Sequence, residues 1–199
     1  YYRIDSFINM PLPDIIKYAK QGDLKKVEEC ITNGDDINVT NSNGQTALMY
    51  ASACGHPAVV TSLIAHQADI NVTNHRGWSA LMYASNNGKV ECVKVLIQNQ
   101  ANLLVKSTKD HYWGIKKGSS ALDIAKRNNH TEIVKLLIKA DPDEINELHL
   151  DTEMINRLLN PSILTKFRNL FKKKKKEIQL ENDRDRYGSK PFDIDDSHV

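Results

Sequence analysis

A nine-residue segment of this chain occurs twice, and the residues around it repeat with the same spacing. Residues 44–52 read GQTALMYAS and residues 77–85 read GWSALMYAS, an offset of 33 residues. The same offset aligns Gly55 with Gly88, and one step towards the N-terminus it reaches Gly22. Periods of this length are typical of repeat proteins, in which each unit is one small supersecondary structure. The chain is therefore expected to be an array of similar units.

Each unit has the pattern of two helices. A short apolar segment at 47–54 precedes Gly55, which can adopt the positive φ of a helix terminator. Apolar residues then recur at 59, 60, 63 and 64, which is one face of an α-helix. An extended segment is expected at 69–72. A single helix pair cannot bury its apolar stripe, so stacked copies are needed to form a continuous core.

The alignment also predicts an insertion. Beyond the second copy the offset becomes 41, which places eight extra residues between about Ser107 and Gly118. Connections longer than the expected length often carry function. This one contains adjacent aromatic residues, Tyr112 and Trp113, in a polar and basic context. They are expected either to fold back on the stack or to contact a partner.

The units resemble ankyrin repeats over about residues 13–140. The residues that carry the resemblance are Gly-Gln-Thr-Ala-Leu at 44–48, Gly-His at 55–56 and Ala-Asp-Ile-Asn at 68–71. The chain departs from the family pattern Thr-Pro-Leu-His, because it lacks the proline and has Met49, Met82 or Asp123 instead of the histidine. This departure puts in doubt the hydrogen-bond network that the histidine forms in the family. The resemblance implies an all-α solenoid of stacked helix-turn-helix units with short β-hairpin-like turns.

The expected organisation has a terminal extension, a repeat region, a cap and a tail. These are an N-terminal extension at 1–12, units at about 13–41, 42–74, 75–115 (with the insertion) and 116–140, a degenerate helical capping repeat at 141–176, and a flexible acidic tail at 177–199. The sequence opens with Tyr1 rather than Met, which suggests a fragment or a trimmed protein.

Charge is strongly segregated although the formal net charge is only +2. Residues 141–153 contain six acids and no base, whereas 162–176 contain seven bases and no acid. The near-neutral total excludes a uniformly basic nucleic-acid binder. The basic segment is interpreted first as the solvated face of the cap. A nuclear import or anion-binding role and contact with anionic lipid are the alternatives, with Lys172, Lys173, Lys174, Lys175 and Lys176 as the candidate residues.

The sequence contains no recognisable catalytic or metal-binding motif. His56 and His130 occupy the second position of the Gly-His turn, with Asn129 in place of the glycine before His130. A histidine at this position usually forms structural hydrogen bonds. Cys30 and Cys92 fall on apolar helical positions and are expected in the core, and Cys54 is expected to face the groove or the neighbouring helix. Three cysteines without CxxC spacing suggest reduced thiols in the cytoplasm or the nucleus. We therefore expect no enzyme, no cofactor and no metal.

The resemblance also implies where a partner binds, since ankyrin stacks bind proteins on a concave surface of turn tips and first helices. Trp78 and Arg76 are residue types enriched in binding hot spots, although Trp78 could instead pack against an adjacent turn. Trp78→Ala and Trp113→Ala are both expected to weaken binding and leave helicity intact. The positions carried over are Ser42, Asn43, Gln45, Ala53, Cys54, His75, Arg76, Trp78, Asn86, Asn87, Ser119, Arg127 and Asn128.

The expected function is non-catalytic protein binding, as an adaptor or scaffold. One alternative is an electrostatic targeting protein that uses residues 162–176 to engage anionic lipid, nucleic acid or an import receptor. Another is a structural subunit of a larger assembly. Nucleic acid and membrane are not expected as the main partner. The last three residues, Ser197, His198 and Val199, match the loose pattern of peptides that bind PDZ domains.

Overall fold

The computed structural model describes residues 12–110 and 114–140. The expected capping repeat, the lysine run, the C-terminal tripeptide and the pair Tyr112–Trp113 lie outside these residues. Within the described ranges all regular secondary structure is helical. Its elements are α1 (Asp14–Gln21), α2 (Leu24–Thr32), α3 (Ala47–Cys54), α4 (Pro57–Ala65), α5 (Ala80–Asn86), α6 (Val90–Gln98), α7 (Ala121–Arg127) and α8 (Thr131–Ala140).

The helices form two layers. The first helices of the pairs, α1, α3, α5 and α7, pack side by side in one layer, and the second helices, α2, α4, α6 and α8, pack in the other. Each first helix also contacts its own second helix. This arrangement confirms the predicted all-α solenoid, in which every unit covers the apolar side of its neighbour.

Equivalent positions of successive units form the core. The first helices contribute Ile15, Leu48, Leu81 and Leu122, which are each at most 2% exposed. The second helices contribute a valine at one position in every unit, from Val27 to Val134, and all four are buried. The repeat spacing therefore corresponds to a physical layer of side chains. Burial of these side chains is the main favourable contribution to stacking.

A hydroxyl caps the N-terminus of each of the last three first helices. The side-chain oxygens of Thr46, Ser79 and Ser120 each accept a hydrogen bond at 3.3 Å from the backbone N–H three residues later. At Ser120 the Asp123 carboxylate also accepts from the Ser120 N–H, which completes a capping box. These caps fix the starts of α3, α5 and α7 without the proline that the family pattern has at the first helical position.

Glycine ends the first helices of the first two units, as predicted from the sequence. Gly22 and Gly55 have φ of 76° and 85°, in the left-handed region. At Gly22 an added Cβ would lie 2.5 Å from Nδ1 of His56 in the next unit. Both the backbone conformation and the close approach of the neighbouring unit therefore require glycine at this position.

The segment 69–72, which was expected to be extended, is a turn. Its residues are held by side-chain oxygens, since the Asp69 carboxylate accepts from the Asn71 N–H at 2.9 Å. The Asn71 amide oxygen in turn accepts from the Asn102 N–H of the next unit at 2.8 Å. Asp and Asn favour such turns because their short side chains bond to the backbone two residues on. The prediction of extended backbone was wrong for this reason.

Two buried hydroxyls provide a stability test. The Oγ atoms of Ser52 in α3 and Ser85 in α5 are buried and have no hydrogen-bond partner within the described ranges. We expect Ser52→Ala with Ser85→Ala to stabilise the protein by about 1 kcal/mol, since alanine has the higher helix propensity and no polar group to desolvate. Urea unfolding followed by circular dichroism measures the change.

The matched control for this pair is Ser62→Ala in α4. Ser62 is partly exposed, and its hydroxyl donates to the Glu28 carboxylate at 3.2 Å. This substitution changes the helix propensity but removes no buried polar group. We expect the urea unfolding midpoint of Ser62→Ala to change little. An equal gain in stability in this control would show that burial of the hydroxyl does not contribute to the effect.

Candidate partner-binding surface

The turn tips of the second and third units are each built around an asparagine at the same position of the repeat. In the second unit the Asn41 side-chain oxygen accepts from the N–H groups of Asn43 (2.9 Å) and Gln45 (3.0 Å). In the third unit the Asn74 side-chain oxygen accepts from Arg76 and Trp78, both at 2.9 Å. The asparagines thus fix the backbone of each tip.

Adjacent tips are also bonded to each other. The His75 N–H donates to the Asn43 carbonyl at 3.1 Å, and the Thr108 N–H donates to the Arg76 carbonyl at 2.9 Å. Ser42, Asn43 and His75 are exposed, and Arg76 is half-buried. The structure therefore brings these four sequence-predicted residues together as one row of tips.

Trp78 is not on this surface, which corrects the prediction from sequence. Its side chain is 0% exposed, and its ring lies against Tyr83 with 5.1 Å between centroids. The repeat pattern places it at the same position as Gln45 and Ser119, which are half-buried. A side chain as large and apolar as tryptophan gains more from burial than from exposure at such a position. Trp78 is a core residue of the third unit.

Two tyrosines form a hydrogen-bond network beside the positions at which this chain lacks the histidine of the family pattern. The Tyr83 hydroxyl accepts from the Gln45 and Asn74 side-chain amides, both at 2.8 Å. The Tyr50 hydroxyl donates to the Gln45 side chain at 3.1 Å. Burial raises the pKa of both phenols. Gln45 thus links the second and third units, because its side-chain amide is hydrogen-bonded to Tyr83.

Met49 and Met82, which replace the histidine of the family pattern, are buried apolar residues. The hydrogen-bonding residues are instead Tyr50 and Tyr83, which each follow one of these methionines. These half-buried tyrosines lie beside the predicted surface, because Tyr83 shares a helix face with Asn86 and Asn87 at spacings of three and four residues. Sequence reasoning missed them, although the repeated Met-Tyr-Ala-Ser segment contained the signal.

The asparagines at the ends of the first helices make contacts between units. The Asn87 side-chain amide donates to the Ala53 carbonyl at 2.8 Å, and the Asn128 amide donates to the Asn86 carbonyl at 3.0 Å. Asn87 is exposed, and the other two asparagines are half-buried. The amide donors of Asn87 and Asn128 are thus bonded to the preceding unit, and partner binding by these asparagines stays a prediction. Cys54 occupies the equivalent position of the second unit and is half-buried.

The histidines of the Gly-His turn are structural, as predicted. The His56 Nε2 atom lies 3.1 Å from the Lys20 carbonyl, and the His130 Nε2 atom lies 3.0 Å from the Asn86 carbonyl. Since a carbonyl only accepts, Nε2 carries the proton in both rings. Each histidine ties its unit to the first helix of the preceding one.

The insertion lies between Ser107 and Gly118, as the change of offset predicted, in the turn that precedes α7. Its base is closed by the Ser107 N–H, which donates to the Ser119 carbonyl at 3.0 Å. The Asp110 carboxylate accepts from the Lys117 N–H at 2.7 Å. Tyr112 and Trp113 lie outside the described residues, so their role stays a prediction.

Two arginines hold this turn. Arg76 donates from Nη1 to the Asp110 carbonyl at 3.0 Å, and Arg127 donates from Nη1 to the Gly114 carbonyl. Both were predicted as partner-binding residues. The structure shows that they also position the insertion between the tip of the third unit and the end of α7.

The cysteines fit the core assignment. Cys30 and Cys92 are buried, and burial raises the pKa of each thiol to about 11. At Cys30 the neighbouring Asp35 contributes to this rise of the pKa. Both thiols are therefore protonated at neutral pH and are poor nucleophiles.

Metal-binding clusters and membrane-spanning helices are both absent from the described part of the chain. No group of three or more His, Cys, Asp or Glu side chains there is arranged to hold a metal ion. None of the helices at 12–110 and 114–140 has the length and hydrophobicity needed to cross a membrane.

The comparison with known families agrees with this architecture. The sequence matches the family described as ankyrin repeats (3 copies) over residues 15–107 and 68–149, which is more than half of the chain. Ankyrin repeats are in general protein–protein interaction modules and are typically non-catalytic. The matched range contains all eight described helices apart from the first residue of α1. The chain belongs to the ankyrin-repeat family.

Proposed function

We propose that this chain is a non-catalytic adaptor or scaffold that binds a protein through its turn tips and the adjoining faces of its first helices. The observation that carries the proposal is the row of bonded tips, in which exposed Ser42, Asn43 and His75 stand on backbone that is hydrogen-bonded across units. A surface fixed before binding loses little conformational entropy when a partner docks.

The neighbouring helix faces extend this surface. Tyr83, Asn86 and Asn87 share one face of α5, and the Tyr83 phenol reaches the side chains at the tip. The same face of α3 presents Tyr50, Ala53 and Cys54, all half-buried. Partly exposed tyrosines beside ordered polar groups are typical of protein interfaces. The lysine run at 172–176 lies outside the described residues, so electrostatic targeting has only its sequence support.

A double substitution at the tips tests the proposal. We expect Asn43→Ala with His75→Ala to weaken capture of the protein partner about tenfold, the effect of losing a modest hot spot. Both side chains are exposed, so the fold is expected to persist. The full chain is used as bait in lysate of the source cells, and captured proteins are quantified by mass spectrometry.

The control is Lys25→Ala with Glu29→Ala, two exposed residues of α2 in the other layer of helices. This variant is expected to capture the same proteins as the unmodified chain. If the tip variant retained every protein that the control retained, the tips would not be the binding surface.

A further inference from the structure

The insertion differs from the two preceding tips in charge. Residues 106–118 contain four lysines and one acid, whereas the tips at 40–45 and 73–78 together contain one charged residue, Arg76. We call the described part of this turn, residues 106–110 and 114–118, the basic turn. Its four lysines are all exposed, as is Arg127 beside it. Among these three tips, positive charge is therefore concentrated at the basic turn.

No carboxylate of the described residues forms an ion pair with these charges. The ion pairs among the described residues join Lys25 to Glu29, Lys26 to Asp23 and Lys94 to Glu91. None of them involves a lysine of the basic turn or Arg127. The only acid of the turn, Asp110, already accepts a hydrogen bond from the Lys117 backbone. The four lysines and Arg127 are therefore exposed cations that form no ion pair within the described part of the chain.

The basic turn has a fixed position. Thr108 is bonded to the Arg76 carbonyl in the same way that His75 is bonded to the Asn43 carbonyl. Arg127 donates to the Gly114 carbonyl from the end of α7, and the buried Ile115 side chain, 2% exposed, anchors the far side. The turn thus continues the row of tips instead of forming a separate surface.

We propose that the basic turn binds an acidic segment of the protein partner. This inference rests on the proposed function and adds the chemistry that the partner presents at the fourth unit. Exposed charges contribute mainly to the rate and the specificity of association, because opposite potentials steer the encounter. The tip at 40–45, which carries Ser42 and Asn43, contains no charged residue. The acidic segment is therefore expected at one end of the interface only.

An acidic polypeptide matches the basic turn better than nucleic acid does. Proteins that bind duplex DNA commonly contact about 6–10 phosphates over an extended surface, whereas these charges occupy one turn. Their continuity with the row of tips also favours a ligand that contacts both. A few carboxylates on one segment match the size of the patch.

The test uses the full chain and a fluorescent twelve-residue peptide rich in glutamate, with binding followed by fluorescence anisotropy at two salt concentrations. We expect the triple variant Lys109→Glu, Lys116→Glu and Lys117→Glu to bind the peptide at least about tenfold more weakly at low salt. Three substitutions are combined because a single exposed ion pair contributes little to binding. Binding to the unmodified chain is expected to weaken as salt increases. Circular dichroism confirms that the variant is folded.

The matched control neutralises the other basic cluster by changing Lys172–Lys176 to Gln. This variant is expected to bind the peptide as the unmodified chain does. Loss of binding in the control, with retention in the basic-turn variant, would overturn the proposal. The proposal would also be overturned if the chain bound an oligo-dT strand or phosphatidylserine vesicles more tightly than the peptide, and if the same three substitutions abolished that binding. The tip variant Asn43→Ala with His75→Ala keeps the basic turn, so the two proposals fail separately.

Discussion

Trp78→Ala is expected to destabilise the protein by about 3–5 kcal/mol, the usual cost of truncating a fully buried tryptophan. The side chain is 0% exposed, and its removal leaves a cavity beside Tyr83. Domains of this kind have total stabilities of about 5–15 kcal/mol, so the loss is a large fraction. With a urea dependence of about 1–3 kcal/mol per molar, the unfolding midpoint falls by about 2 M. Urea unfolding followed by far-UV circular dichroism measures it.

Ser119→Ala is the control, because Ser119 occupies the equivalent position of the fourth unit. It is half-buried, and its hydroxyl donates to the Lys116 carbonyl at 2.7 Å. We expect a loss below about 1 kcal/mol, as for a partly exposed hydrogen bond. Equal midpoints for Trp78→Ala and the unmodified chain, together with weakened partner binding, would restore Trp78 to the binding surface.

Asn74→Ala is expected to cost about 2–4 kcal/mol. The Asn74 side chain, 7% exposed, accepts from the Arg76 and Trp78 N–H groups and donates to the Tyr83 hydroxyl. Alanine removes these hydrogen bonds, and each buried polar group left unsatisfied costs about 1–3 kcal/mol of stability. The loss is measured by urea unfolding. The exposed tip at His75 should also become more mobile, which hydrogen exchange of its amides detects.

Two substitutions separate the contributions to this effect. Asn41→Ala removes the equivalent side chain of the second unit, where Asn41 is half-buried, and we expect a smaller loss of about 1 kcal/mol. Asn74→Asp keeps an oxygen that accepts from both N–H groups, so it should retain more than half of the stability lost in Asn74→Ala. If all three variants lost the same stability, the tip hydrogen bonds would not be the cause.

Much of the fold followed from the 33-residue spacing. The predicted helix at 47–54 is observed as α3, and Gly55 has the positive φ expected of it. The insertion was placed from a change of offset and is closed by the bond between Ser107 and Ser119. Repetition makes such predictions strong because each unit repeats the same local signals. The turn at 69–72 was the exception, since bonds from Asp69 and Asn71 replaced extended backbone.

The candidate surface was predicted less well. Ser42, Asn43 and His75 are exposed where the resemblance placed them. Gln45 is at a position of the same kind, but its amide donates to Tyr83 of the next unit. A contact of this kind joins residues 38 apart in sequence. The repeated tyrosine indicates one partner, but its pairing with Gln45 depends on how the neighbouring units pack.

The sequence by itself determined the number of residues in a unit, the helix pair with the glycines that end α1 and α3, and the place where the pattern is interrupted. These features depend on spacing and on bonds within a few residues. Only the tertiary structure decided which residue of each tip is available to a partner. Trp78 occupies a position that the repeat pattern marks as variable, yet it is buried, and Arg127 proves to hold the insertion. Burial and contacts between units depend on the packing of the neighbouring units, which the residue at that position does not encode.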